Sequence, residues 1–177
     1  MMLVQERAAA IRLLIIDIDG VLTSGLIYYG SNQLEIKAFH VHDGLGLKLI
    51  QKSGIQVGVI TAKKSEAVTR RLNDLGIEHA YCGYEDKRPA YEDIKKRLQL
   101  SDEEIAYMGD DLPDLPILMR VHLALTVPQA HELVKQHAHY ITKKNAGNGA
   151  VREACELIMK AQLTYDHLIK TYLHSPS

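Results

Sequence analysis

The chain has 177 residues, and 21 Lys and Arg against 22 Asp and Glu leave a formal net charge of −1. The length is typical of one domain over residues 1–177 with an ordinary core. The near-neutral balance argues against a nucleic-acid-binding surface, and no apolar run is long enough for insertion into a membrane. The first ten residues lack the apolar core of a signal peptide, so we expect a cytoplasmic protein.

The first predicted elements are a helix over residues 3–11 and a strand over 13–16. The apolar run of this strand is typical of a strand buried on both faces of a parallel sheet, and Asp17 would lie at its carboxyl end. If the strand continues through Asp19, both carboxylates point to the same side. Such a pair favours a divalent metal, or a nucleophile beside a proton donor. A turn made of Asp and Gly is the simpler alternative.

The next segment, residues 26–40, predicts a β-hairpin. Two β-rich runs, 26–29 and 34–40, flank the turn-forming sequence Gly-Ser-Asn at 30–32. A helix then follows through about Lys52, with Asp43 as its predicted N-cap.

From residue 56 onward, strands and helices alternate regularly. Strands are predicted over 56–60, 78–82, 105–108, 121–126 and 138–141. Helices are predicted over 65–75, 86–98, 112–119, 128–136 and 150–173, the last broken near Thr164, after a glycine loop at 145–149. Repeated βα units indicate the α/β class, with a Rossmann-like parallel sheet and helices on both faces.

Several polar residues follow the ends of these strands. Because parallel strands end at one edge of a sheet, we expect one cluster made of Asp17, Asp19, Thr61, Lys87, Asp110 and Asp111. Carboxylates suit Mg²⁺, hydroxyl and ammonium groups bind phosphate oxygens, and an aspartate can accept a phosphoryl group. The set favours Mg²⁺-dependent phosphoryl transfer. Each residue alone also fits a turn, a helix cap or a solvated position.

These motifs resemble the haloacid dehalogenase superfamily of phosphohydrolases. The matching stretches are Asp17 to Thr23, Ile60-Thr61, Lys87 and Gly109 to Asp114. Residues 17–23, 39–46 and 147–153 further resemble the 3-deoxy-D-manno-octulosonate 8-phosphate phosphatases of lipopolysaccharide synthesis. The resemblance implies a haloacid dehalogenase-like sheet with an early hairpin and no inserted cap domain.

The resemblance also implies a role for each matching residue. Asp17 would be the nucleophile, and Asp19 would exchange protons with the leaving group and with water. The groups implied to bind phosphate or substrate are Thr61, Lys63, Lys87 and Thr23. Mg²⁺ would be held by Asp17, the Asp19 backbone carbonyl and Asp110, with Asp111 and Asp114 in support.

The implied substrate is a small phosphorylated sugar acid, and the implied assembly is a homotetramer formed through the 26–40 hairpin. The apolar side chains of the hairpin fit that role, although it could instead fold back on its own domain. The sequence departs from the usual Thr-Gly-Arg motif at Thr61-Ala62-Lys63, and His42 stands where relatives often have Arg.

Three alternatives stay open at this point. A nine-carbon keto-sugar acid phosphate could be the substrate, or the chain could be a catalytically weak assembly module. A receiver-type signalling domain also combines acidic residues, Thr and Lys on a parallel sheet. In a receiver domain, however, the phosphorylated Asp ends a middle strand, whereas here Thr61 ends that strand.

Overall fold

A computed structural model describes residues 3–31 and 35–173. The strands are β1 (Leu13–Ile16), β2 (Tyr28–Tyr29), β3 (Glu35–Ile36), β4 (Gln56–Thr61), β5 (His79–Cys82), β6 (Ile105–Met108), β7 (Leu123–Thr126) and β8 (Tyr140–Ile141). Six of them form a parallel sheet in the order β5-β4-β1-β6-β7-β8, and β2 pairs with β3 as an antiparallel hairpin.

Helices cover both faces of the sheet, as the βα alternation predicted. They are α1 (Val4–Ala9), α2 (Val41–Lys52), α3 (Glu66–Leu75), α4 (Arg88–Leu98), α5 (Leu115–Leu118), α6 (Glu132–His137), α7 (Ala150–Ala161) and α8 (Tyr165–Leu173). Helix α7 packs against α1 and α2, whereas α5 packs against α4 and α6.

Strand β1 is the centre of the sheet and of the core. All four of its residues are fully buried, and Ile16 lies opposite Val59 of β4 and Met108 of β6. The chain adds strands on the β4 side of β1 first and on the β6 side later, so the strand order reverses at β1. Open α/β sheets bind ligands in the crevice outside such a point, at the carboxyl ends of the strands.

The strand predicted over 13–16 is confirmed, but it does not continue through Asp19, so the condition under which both carboxylates would share one side is not met. Strand β1 ends at Ile16, and residues Ile18–Leu22 form a distorted helical turn. Gly20 has φ +94°, which lies in the left-handed region that favours glycine. Asp17 and Asp19 are therefore separated by a change in chain direction, and the alternation of a strand does not relate their side chains.

The hairpin is confirmed but is shorter than the pattern suggested. Its paired residues are Tyr28 with Ile36 and Tyr29 with Glu35. Residues 32–34, which include part of the predicted turn, lie outside the part of the chain that the structure describes.

The predicted N-cap of the following helix is wrong. Helix α2 begins at Val41, and the cap is His40, whose Nδ1 accepts a hydrogen bond from His42 N. Asp43 lies in the first turn of the helix and is completely buried. Its carboxylate is used elsewhere, at the start of α7.

Most other elements match their predictions to within a few residues. The main differences are the helix predicted at 128–136, which begins only at Glu132, and the one predicted at 112–119. The latter divides into a 3₁₀ turn over Leu112–Asp114 and the short helix α5. The predicted break near Thr164 is confirmed, between α7 and α8.

No separate cap domain interrupts the alternation of strands and helices within residues 3–31 and 35–173. In that same part of the chain, every helix is too short or too polar to cross a bilayer.

Candidate active site

The candidate site lies at the carboxyl ends of three neighbouring strands. Asp17 directly follows β1, Thr61 is the last residue of β4, and Asp110 comes two residues after β6. Backbone hydrogen bonds continue past the strand ends, since Asp17 N donates to Met108 O at 2.9 Å. The parallel register of β1 with β4 and β6 thus brings these residues to one edge, as predicted.

A buried lysine links two of the carboxylates. Lys87 Nζ lies 3.0 Å from Asp17 Oδ1 and 2.6 Å from Asp114 Oδ1, and only 4% of Lys87 is exposed. Burial alone lowers the pKa of the Lys87 amine. The two carboxylates outweigh burial and raise the pKa above its usual value, so Lys87 stays a cation.

Asp114 is held by four hydrogen-bond donors. Its Oδ1 accepts from Lys87 Nζ and from Tyr107 Oη, both at 2.6 Å. Its Oδ2 accepts from the backbone N–H groups of Asp110 at 3.0 Å and Asp111 at 3.2 Å. Both oxygens are therefore occupied by protein donors. Asp114 holds Lys87 in position and also fixes the loop that follows β6.

Asp110 is the opposite case. Its Oδ1 is buried and accepts no hydrogen bond from any residue that the structure describes. A Cβ on Gly20 would overlap the Asp110 carboxylate, so the absence of a side chain at Gly20 allows the two loops to approach. A buried carboxylate oxygen without a donor indicates a missing partner, such as a metal ion.

Asp17 and Asp110 both have raised pKa values. Burial raises the pKa of Asp17 to about 7, against the opposing effect of Lys87 and with a further contribution from Asp114. Burial also raises the pKa of Asp110 to about 7, with added repulsion from Asp17, Asp114 and Asp111. Both shifts come mainly from the loss of solvation on burial, to which repulsion between the carboxylates adds.

The donor set fits a divalent cation. Carboxylate oxygens of Asp17, Asp110 and Asp114 lie within 4.8 Å of one another. When all three carboxylates are ionised, the single ammonium of Lys87 leaves a formal charge of −2 in this cluster. Oxygen ligands of this kind suit Mg²⁺, and the orphaned Asp110 Oδ1 supplies a free ligand atom.

Asp19 belongs to a second, separate ion pair. Its Oδ1 lies 2.5 Å from Lys37 Nζ and accepts a longer hydrogen bond of 3.3 Å from Thr23 Oγ1. The same Thr23 hydroxyl lies 3.3 Å from Ile18 O and accepts a hydrogen bond from Gly25 N at 3.2 Å. Thr23 therefore closes the loop that carries Asp19.

The glycine loop before α7 packs against the loop that carries Asp19. Gly147 N donates to Val21 O at 3.0 Å, and a side chain on Gly147 would meet the backbone of Thr23 and Ser24. Asp43 holds the other end of the glycine loop by accepting hydrogen bonds from Gly149 N and Arg152 N at the start of α7.

Two predicted site residues lie at the margin. Lys63 is exposed and forms no ion pair within the described parts of the chain. Asp111 is also exposed, and its Oδ1 accepts a hydrogen bond of 2.8 Å from Leu112 N, which caps the 3₁₀ turn. Their predicted contacts with substrate or metal stay predictions.

Three residues in the site were not predicted from the sequence. They are Lys37 beside Asp19, Tyr107 beside Asp114, and Asp43 of α2, which accepts hydrogen bonds from the start of α7. The only signal for Lys37 was its spacing of two from Glu35, which places both on one side of a strand. Tyr107 and Asp43 gave no local signal, because their partners are distant in sequence or belong to another element.

Comparison with known proteins supports the same family as the motifs. A profile of haloacid dehalogenase-like hydrolases matches residues 84–154. The 3-deoxy-D-manno-octulosonate 8-phosphate phosphatase of Yersinia pestis is 47% identical over 157 residues, which cover 89% of this chain and 84% of that protein. This chain belongs to the haloacid dehalogenase-like phosphatase family of that enzyme. The phosphatase of the same name from Escherichia coli BL21-DE3 is 45% identical over 90% of this chain and 85% of its own.

The phosphatase family is also represented by a liganded crystal structure. The Moraxella catarrhalis 3-deoxy-D-manno-octulosonate 8-phosphate phosphatase was solved with magnesium, phosphate and KDO. It superposes on this chain with a TM-score of 0.93 and 43% identity, covering 96% of this chain and 97% of that one. Family membership removes the receiver-domain alternative.

Proposed function

We propose that the chain is a Mg²⁺-dependent phosphatase that hydrolyses 3-deoxy-D-manno-octulosonate 8-phosphate to the free sugar acid and phosphate, in lipopolysaccharide biosynthesis. The observation that carries this proposal is the position of Asp17, which ends the central strand beside a buried Lys87 and the unpartnered Asp110 oxygen. The similarity to phosphatases of that name supports the choice of substrate.

In the first proposed step, a carboxylate oxygen of Asp17 attacks the phosphorus atom. The bond between phosphorus and the sugar oxygen breaks, and the leaving oxygen takes a proton from Asp19. The products are the free sugar acid and an aspartyl-phosphate on Asp17. Lys87 keeps the Asp17 side chain in place, since its Nζ is 3.0 Å from Asp17 Oδ1.

In the second proposed step, water attacks the phosphorus atom of the aspartyl-phosphate. Asp19, now a carboxylate, takes a proton from that water, and the bond between phosphorus and the Asp17 oxygen breaks. Phosphate leaves, and Asp19 carries the proton required for the next cycle.

The proposed Mg²⁺ ligands are the Asp17 carboxylate, the Asp19 backbone carbonyl and Asp110. When bound, Mg²⁺ would supply positive charge between the nucleophile and the anionic phosphate. Asp114 and Asp111 would support the ligands, Asp114 through its hydrogen bonds to the backbone amides of Asp110 and Asp111.

The remaining proposed roles concern the phosphate. Thr61 is buried at the end of β4, and we propose that its hydroxyl donates to a phosphoryl oxygen together with the Lys87 ammonium. Lys63 would add positive charge at the exposed margin. Thr23 would act mainly by closing the Asp19 loop, which its observed hydrogen bonds support.

We further propose that residues 1–177 act as one cytoplasmic domain that forms a homotetramer through the 26–40 hairpin. Four apolar side chains of the hairpin, Leu26, Tyr28, Tyr29 and Ile36, are more than half exposed. An apolar surface of this kind on a two-stranded hairpin favours contact with another protein chain.

The experiment that tests the function measures phosphate release in the presence of Mg²⁺. The substrates are 3-deoxy-D-manno-octulosonate 8-phosphate, a nine-carbon keto-sugar acid phosphate and a panel of other sugar phosphates. Asp17→Asn removes the nucleophile, and Asp74→Asn, at an exposed position of α3, is the matched control. We expect release that favours the eight-carbon acid, is lost in Asp17→Asn and after EDTA, and persists in Asp74→Asn.

Two other outcomes would change the conclusion. Preference for the nine-carbon acid would keep the mechanism and replace the substrate. A folded, Mg²⁺-loaded protein that released no phosphate from any substrate would contradict the proposed function and favour a catalytically weak assembly module.

A further inference from the structure

Lys37 is a buried cation outside the acidic cluster around Asp17. Its side chain has no exposed surface, although it follows the short hairpin strand β3. Burying an ammonium without a partner is costly, so the groups around it decide whether the position is tolerable. Two carboxylates face it, Asp19 with its Oδ1 at 2.5 Å and Glu35 with its Oε1 at 3.7 Å.

Asp19 is the nearer and better-aligned partner. Lys37 Nζ donates a hydrogen bond to Asp19 Oδ1, whereas its contact with Glu35 is an ion pair without a hydrogen bond. Glu35 Oε1 accepts no hydrogen bond within residues 3–31 and 35–173. The strong, directional interaction of Lys37 is therefore the one with Asp19.

The site thus contains two lysines with separate partners. Lys87 contacts Asp17 and Asp114, which belong to the cluster that fits a metal. Lys37 contacts Asp19, whose side chain is 24% exposed and therefore accessible from the crevice. Each of the two aspartates that the proposed mechanism needs has its own buried lysine.

We propose that Lys37 is a positioning residue for Asp19. It would hold the Asp19 carboxyl group at one place in the crevice and so fix the direction of proton exchange with the leaving oxygen and with water. Because the Lys37 side chain is completely buried, it would act through Asp19 and not through contact with the substrate. The inference rests on the proposed phosphatase function for its kinetic test, but the ion pair can be tested without turnover.

The kinetic test uses Lys37→Met, which removes the ammonium and keeps most of the side-chain stem. We expect kcat to fall by roughly tenfold to a hundredfold with KM nearly unchanged, since small misplacement of a reacting group has effects of this size. Lys48→Met, at an exposed position of α2, is the matched control and should keep the wild-type kcat. Glu35→Gln, which leaves the Asp19 contact in place, should have a smaller effect than Lys37→Met.

The decisive comparison repeats Lys37→Met in the Asp19→Asn background. A residue that acts only through Asp19 should cause less than about a twofold further loss of kcat there, because coupled residues are not additive. An equal loss of kcat in both backgrounds would overturn the proposal, as would a raised KM with unchanged kcat. The second result would mean that Lys37 contacts the substrate.

A thermal-unfolding cycle provides a readout that needs no activity. It compares the wild type, Lys37→Met, Asp19→Asn and the double variant. Asp19→Asn leaves a buried ammonium with a more distant carboxylate, so its melting temperature should fall. Adding Lys37→Met should restore part of the loss, because it removes that poorly paired charge. Strictly additive shifts would show that the pair does not form in solution and would overturn the inference. Inactive wild-type protein with a coupled melting cycle would instead contradict only the proposed function.

Discussion

Asp114 is buried and Asp110 is half-buried, and the surroundings of the two carboxylates suit them to different roles. Four donors occupy the oxygens of Asp114, whereas Asp110 Oδ1 has no donor among the described residues. A carboxylate already saturated by protein groups is a poor ligand, and an orphaned one is a good candidate. The proposed metal affinity therefore depends on Asp110 directly and on Asp114 through the loop that it holds.

We predict that Asp110→Asn weakens Mg²⁺ binding by at least about tenfold, since even residues that only orient metal ligands change affinity by this much. Asp74→Asn, at an exposed position of α3 away from the site, is the matched control. Isothermal titration of the metal-free protein with MgCl₂ measures both affinities. Equal affinities for Asp110→Asn and the wild type would show that Asp110 is not a ligand.

The raised pKa values of Asp17 and Asp110, about 7 each, predict how stability depends on pH. An unfolded aspartate titrates near 4. Between about pH 4 and 7 the folded, metal-free protein therefore holds more protons than the unfolded chain. Its free energy of unfolding should then fall as pH rises through this window, and the contribution is complete only below about pH 4.

Mg²⁺ should offset this loss, because it competes with protons for the same oxygens. The increase in melting temperature caused by Mg²⁺ should grow from pH 5 to 7 and then level off. Thermal melts across this range, with and without Mg²⁺, measure the effect. Subtracting the pH curve of the Mg²⁺-induced shift for Asp110→Asn removes the contributions of other titrating groups. If the wild-type curve ran parallel to that of the variant, the prediction would be refuted.

At the scale of elements, the loop that carries Asp19 is fixed by segments far away in sequence. Asp43, in the first turn of α2, accepts hydrogen bonds from Gly149 N at 3.1 Å and Arg152 N at 2.8 Å. These amides belong to the start of α7, so a residue of one helix caps another. The glycine loop held in this way contacts the loop that carries Asp19, because Gly147 N donates a hydrogen bond to Val21 O.

We predict that Asp43→Ala lowers the free energy of unfolding by about 1–2 kcal/mol or more, which is the upper range for loss of a helix cap. Asp43→Asn should lose less, because its amide oxygen can still accept one of the two hydrogen bonds. Urea denaturation of both variants and the wild type measures the difference. A loss smaller for Asp43→Ala than for Asp43→Asn would contradict the capping role.

At the scale of the whole molecule, the hairpin exposes a group of apolar side chains. Tyr29 is 76% exposed, and Leu26, Tyr28 and Ile36 are also more than half exposed. The sheet and its helices bury their own apolar faces in one core, so this surface has no role in the core. In the proposed tetramer, this exposed surface would form the contact between subunits.

We predict that Tyr29→Glu lowers the oligomeric mass, because a charge in an apolar interface is costly to desolvate. Met119→Glu, at an exposed apolar position outside the hairpin, is the matched control. Light scattering coupled to size-exclusion chromatography measures the mass against the 19.8 kDa of one chain. A wild-type protein that elutes as a monomer would contradict the tetramer.

The sequence by itself determined the sheet and the placement of Asp17, Thr61 and Asp110 at one edge of it. An apolar run that ends in a polar residue predicts a buried parallel strand with its polar residue at the carboxyl end, and parallel strands share that edge. It did not determine the turn after β1, since Asp-Gly sequences are compatible with both a continuing strand and a bend.

Only the tertiary structure decided which group each buried charge contacts. Lys37 and Asp19 are 18 residues apart, Lys87 and Asp114 are 27 apart, and Asp43 and Arg152 are 109 apart. Local periodicity records which side of an element is buried, but not which distant group will lie there. The partners of Lys37 and Asp43 can therefore be identified only after packing has brought together the hairpin, the loop that carries Asp19 and the start of α7.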